Sequence, residues 1–162
     1  MRKSRGFTLI EILVVMGIIA ILATVVIVAI NPAKQFAQAR NTQRQANLNA
    51  ILNAIGGRLA DNKGVFAGKF KIETTEYECP TISTTTPEVI KSSGGINLSC
   101  LYPTYIPAQI PVDPNVGVWT NETNYDSGYT IVASTTGRVI ICAPKAGEET
   151  SLPNPSSICV TR

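Results

Sequence analysis

The chain has 162 residues, enough for one modest domain with its own core and hardly for two. Its formal charge is +3, and Arg2, Lys3 and Arg5 supply the whole excess, because after Gly6 there are 11 basic and 11 acidic side chains. That balance excludes a broadly basic surface for nucleic acid or acidic lipid, and the lack of any histidine removes the commonest general base and metal ligand near neutral pH.

Residues 7–30 form an apolar run interrupted only by Thr8, Glu11, Gly17 and Thr24. As a helix, 24 residues rise about 36 Å, enough to cross a hydrocarbon core of about 30 Å. The basic cluster before the run predicts a cytoplasmic N-terminus, with the remainder outside. A cleaved secretory signal is the competing reading. Its apolar region is normally about 7–15 residues and ends at a small-x-small site, whereas this run is longer, contains Glu11 and passes into Asn31-Pro32. The four cysteines, Cys79, Cys100, Cys142 and Cys159, show no metal-ligand spacing. They read as two disulfides in an oxidising compartment, with three connectivities open.

Asn31 and Pro32 suit a cap and a first helical turn, so the pair predicts a kink followed by further helix. Leu48, Ile51, Leu52, Ile55 and Leu59 then make an apolar stripe, against which a domain should pack. Gly56-Gly57 predicts an end near residues 55–60. From about residue 64 short segments alternate with turn residues. Gly128 to Ser134 and Arg138 to Ala143 read as strands joined by a hairpin loop at Thr135-Thr136-Gly137, with Cys159-Val160 as an edge strand. Pro103, Pro107, Pro111 and Pro114 force an extended, ladder-poor connection before that hairpin. Thr81 to Thr86 is a Thr/Ser-rich loop.

The most specific signal is Gly6-Phe7-Thr8-Leu9-Ile10-Glu11, between the basic leader and the apolar run. Glu11 is its odd member, since a carboxylate costs up to about 3 kcal/mol at the bilayer centre. It either snorkels to the headgroups or receives a partner charge on assembly. This segment closely resembles the prepilin processing site of type IV pilins and type II secretion pseudopilins. The resemblance implies an α+β fold, with a long N-terminal helix packed on a small antiparallel β-sheet head. It divides the chain into a leader (1–6), a transmembrane and filament-core half-helix (7–30), an amphipathic half-helix (31–60) and a head (61–162). It implies cleavage between Gly6 and Phe7 by a prepilin peptidase and N-methylation of Phe7. Glu11 would neutralise the Phe7 amine of a neighbour while an inner-membrane assembly platform builds a helical homo-oligomer. The subunit would rest in the bilayer beforehand and reach the cell surface, or span the periplasm, as a filament.

The resemblance also implies a Cys142–Cys159 bridge closing the C-terminal region, which leaves Cys79 with Cys100. Tyr105-Ile106 and Ile110 to Pro114, before a two-strand pattern, are similar to the loop region of major pseudopilins. A secretion or DNA-uptake pseudopilus is therefore the alternative to a pilus. Major pseudopilins often hold calcium in this region. Asp113 and Asp126, with Asn121, Glu122 and Asn124, offer hard oxygen ligands, although a solvated turn explains the same residues. Asn97 and Asn121 head Asn-x-Ser/Thr sites. From other functional classes, a tethered enzyme lacks a visible catalytic constellation. A monomeric anchored binding domain would have no need of Gly6-Phe7 or Glu11.

Overall fold

The computed structural model describes residues 6–162; the leader residues Arg2, Lys3 and Arg5 lie outside the described residues. By internal packing the chain forms two units, one ending at Phe36 and the other spanning Ala37–Arg162.

The first unit is dominated by helix α1, Leu9–Ile30. Thr8 is its N-cap, in extended backbone, and a capping box closes the first turn. The large apolar side chains described along α1 are between 51% and 82% exposed, so this helix has no face turned to a core. Leu9–Ile27 is long and apolar enough to cross a membrane. Asn31 ends α1 in the left-handed conformation, with φ 45°. Helix α2, Pro32–Asp61, starts at the next residue. Pro32 has no N–H to satisfy there, and the Asn31 carbonyl accepts from Lys34 N–H at 3.1 Å. The expected kink is thus a one-residue break, made by an asparagine that tolerates positive φ and a proline fitted to a first turn.

In the second unit, α2 buries the predicted stripe: Leu48, Ile51, Leu52 and Ile55 are at most 2% exposed, and Leu59 packs at its margin. Gly56-Gly57 does not end the helix. A Cβ on Gly57 would lie 3.1 Å from the Tyr105 ring, so the missing side chain makes room for a packed tyrosine. The chain leaves the helix through Lys63 and Gly64, both at positive φ, and Gly64 N–H donates to the Leu59 carbonyl at 2.8 Å.

Strands β1 (Gly68–Ile72) and β2 (Thr75–Cys79) form a two-stranded antiparallel hairpin. A five-stranded sheet follows, comprising β3 (Glu88–Lys91), β4 (Val118–Asn121), β5 (Asn124–Ala133), β6 (Val139–Ala143) and β7 (Ile158–Thr161). Its order is β3-β5-β6-β7, with β4 also paired to β5, and every pairing is antiparallel. Along β5, Tyr125, Ser127, Tyr129 and Ile131 alternate inward, as strand geometry requires, and meet Ile141, Ala143 and the α2 stripe in one core. The predicted hairpin is there, but β5 begins four residues earlier than Gly128. A Cβ on Gly128 would stand 3.0 Å from the Asp113 Cβ, so this glycine admits a neighbouring segment and does not end the strand. Between Pro103 and Pro114 the chain turns without joining a ladder.

Cys79 is bonded to Cys100, tying the end of β2 to a 3-10 turn at Ser99–Leu101. Cys142 is bonded to Cys159 across β6 and β7, at directly paired positions. The fold is thus α+β: an apolar helix, a second helix, and antiparallel sheets.

Candidate processing and assembly site

Gly6, Phe7, Thr8 and Glu11 lie together by sequence at the start of α1. Thr8 N–H and Thr8 Oγ1 both donate to Glu11 Oε2 at 2.8 Å, and Glu11 N–H donates to Thr8 Oγ1 at 3.3 Å. The carboxylate therefore has two donors within its own chain and sits where the helix dipole favours negative charge. Phe7, 85% exposed, immediately precedes this box. A Cβ on Gly6 would meet nothing within 4 Å, so the folded chain itself makes no demand for glycine there.

A second polar group, in the Ala37–Arg162 unit, was not anticipated from the sequence. Arg44 is 0% exposed. Its Nε donates to Asp113 Oδ2 at 2.7 Å, its Nη1 to Glu149 Oε1 at 2.6 Å and to Asn41 Oδ1 at 2.7 Å, and its Nη2 to Asp113 Oδ1 at 3.3 Å. Arg40, one turn earlier, grips Glu149 through Nε and Nη2 at 2.9 and 2.5 Å. Asn47, one turn later, donates to the Val112 carbonyl and to the Tyr129 hydroxyl. The hydrogen bond from Arg40 pulls the Glu149 carboxyl down to about 2; burial opposes that shift, and Arg44 reinforces it. Tyr129 is pushed up to about 12, chiefly by burial. A signal for this cluster was available: Arg44 is four residues before Leu48, on the face of the apolar stripe.

The cluster bears on the calcium expectation at Asp113. Both its oxygens are taken by Arg44, and Oδ1 also accepts from Asn115 N–H at 2.8 Å. A buried carboxylate already neutralised by a guanidinium does not fit a calcium site. Asp126 Oδ1 accepts from Gly128 N–H, while Asn121, Glu122 and Asn124 lie in the exposed β4–β5 turn. Of the two Asn-x-Ser/Thr sites, Asn97 is tied into the head by Tyr125 and Ser99, and Asn121 stands exposed.

Compared with known proteins, residues 1–27 match the family model of the prokaryotic N-terminal methylation motif. No curated protein and no solved structure matches the chain.

Proposed function

We propose that this chain, which carries at residues 1–27 the signature of type IV pilins and pseudopilins, is the structural subunit of a type IV pilus. A prepilin peptidase cuts between Gly6 and Phe7, the new Phe7 amine is methylated, and α1 holds the processed subunit in the inner membrane with the head outside. An assembly platform then draws subunits into a helical homopolymer cored by α1. The chain does no catalysis of its own. The observation that carries this reading is the pairing of the motif with an α1 exposed on every side. Such a helix is stable in lipid, or against copies of itself.

The end of α1 supplies chemistry for both states. In the bilayer the Thr8 donors satisfy part of the Glu11 carboxylate. In the polymer the Phe7 ammonium of a neighbour would supply the full counter-charge, which offsets much of the cost of burying each group alone. Apolar contacts along α1 would provide the bulk of the attraction. A secretion pseudopilus would use the same parts; long sheared surface filaments in electron micrographs favour the pilus.

The processing step is tested by intact mass of the membrane-extracted protein from its own host. The expected species lacks residues 1–6 and carries one added methyl group. Because the fold leaves open space at Gly6, Gly6→Val should fold normally yet persist as a full-length membrane precursor without filaments. Filaments at the normal level from Gly6→Val would refute the processing claim.

A further inference from the structure

Three of the five tyrosines have hydroxyls bonded to other side chains of the head: Tyr105 donates to Asp61 at the surface, Tyr125 donates to Asn97, and Tyr129 accepts from Asn47. The other two, Tyr77 and Tyr102, are partly buried and line the same groove. That groove has a volume of about 290 Å³, and Thr75, Ser99, Pro103 and Glu122 complete it. It lies within the Ala37–Arg162 unit, where β2, the Ser99–Leu101 turn and the β4–β5 turn come together. Each of its aromatic rings is backed by another. Tyr77 stacks on Phe70 with centroids 5.4 Å apart, and Tyr102 leans on Trp119 at 5.8 Å. The hydroxyls of Thr75, Tyr77, Ser99 and Tyr102 make no hydrogen bond among the described residues, and the Glu122 carboxylate enters no ion pair among them.

Held aromatic faces surrounded by four free hydroxyls and one free carboxylate call for a ligand with an apolar face and many hydroxyl donors. A pyranose ring has that chemistry: its C–H face packs on an aromatic ring, and its hydroxyls donate to the carboxylate in charge-assisted hydrogen bonds. No lysine or arginine lines the groove, which disfavours a phosphate-bearing strand. The volume falls at the lower edge of ordinary ligand sites, roughly 300–1,000 Å³, and suits one sugar ring with a second reaching into solvent. We propose that this groove binds a neutral saccharide, with the ring on Tyr77 or Tyr102 and Glu122 as the principal acceptor. The site belongs to the head and holds whether or not the chain polymerises.

Trp119 is the only tryptophan in the chain and touches Tyr102, so its fluorescence reports on the groove. The full chain, in a zwitterionic detergent free of sugar, would be titrated with lactose, maltose, cellobiose and N,N′-diacetylchitobiose. Tetramethylammonium and an oligothymidine single strand would be titrated in parallel. The expected result is a saturable change in emission with at least one disaccharide. Its Kd should weaken by roughly tenfold or more in Glu122→Gln and in Tyr102→Phe, two changes that leave the packing in place. Lys63→Ala, outside the groove, should bind as the unmodified chain does. The proposal is overturned if none of the four disaccharides gives a saturable response. It is equally overturned if binding is undiminished in both groove variants, or if only tetramethylammonium or the oligothymidine saturates.

Discussion

Arg44 makes four side-chain hydrogen bonds in the head, and its burial follows from its place on the α2 face that also carries Leu48, Ile51 and Ile55. A charged residue there is tolerated because Asp113 and Glu149 arrive from segments distant in sequence and leave none of its three nitrogens unpaired. Removing the guanidinium leaves the buried Asp113 carboxylate without a cation, while Glu149 keeps only Arg40. Arg44→Ala should therefore cost about 3–5 kcal/mol, the usual penalty for breaking a buried ion pair from one side. Urea unfolding of the detergent-solubilised chain, followed by Trp119 fluorescence, measures this; a loss below 1 kcal/mol would mean that the cluster is not a structural tie. The Glu149 carboxyl gives the cluster a pH signature. Its folded pKa, about 2, lies below the ordinary 4.5, so its stabilisation is complete above the unfolded value and is lost as pH falls from about 4.5 towards 2. Glu149→Gln should lower stability at pH 7 and flatten the acid limb of the stability curve. The partners in this cluster were not legible from the sequence. The apolar period exposes which α2 residues face inward, but nothing local announces which of 11 acidic residues will meet Arg44.

At the scale of elements, periodicity was informative and punctuation was not. The α2 stripe announced a helix because burial against one partner imposes a regular pattern, and the α1 run announced another by its unbroken apolar length. Gly56-Gly57 read as a stop and Gly128 as the first residue of a strand, yet each lies inside an element: Gly57 clears space for Tyr105, and Gly128 for the Asp113 segment. A glycine that admits a tertiary neighbour looks the same in sequence as one that ends an element. Strands β1, β2, β3 and β4 have five residues at most, too few for an alternation to stand out. The β5–β6 hairpin was legible because its β-branched runs flank a compact turn. The edge strand β7 has β6 as its one strand neighbour, and Cys142–Cys159 ties the two covalently. With 17 residues of separation, that bridge contributes about 3 kcal/mol in the chain-entropy model. Replacing both Cys142 and Cys159 with Ser should lower the urea midpoint by a corresponding amount and raise amide exchange along β7 first. Unchanged exchange at Ile158–Thr161 would show the strand to be held by pairing alone.

For the whole molecule, the decisive contrast is between a head that closes its own core and an α1 that closes nothing. Membrane residence needs only the apolar length of α1, so Glu11 is superfluous to anchoring and opposes it by up to about 3 kcal/mol, less near an interface. The Thr8 contacts ease this cost without cancelling it, since two hydroxyl or amide donors do not neutralise a full charge. If Glu11 acts in assembly, Glu11→Val separates the steps. Insertion should be unharmed, because the substitution removes a polar group from an apolar helix. Cleavage should continue, because Gly6 and Phe7 are untouched, and losing the capping box frays one turn at a cost of about 1 kcal/mol. Recruitment should fail, because the Phe7 ammonium of an incoming subunit would be buried without a counter-charge. Fractionation of Glu11→Val cells should thus find processed subunit in the membrane and little in the sheared filament fraction. Thr8→Val, which removes the two hydroxyl contacts and keeps the Thr8 N–H one, should leave the charge pair intact and assemble far better than Glu11→Val. If Glu11→Val polymerises at the normal level, the carboxylate is a helix cap and nothing more, and the register between subunits must come from apolar packing along α1.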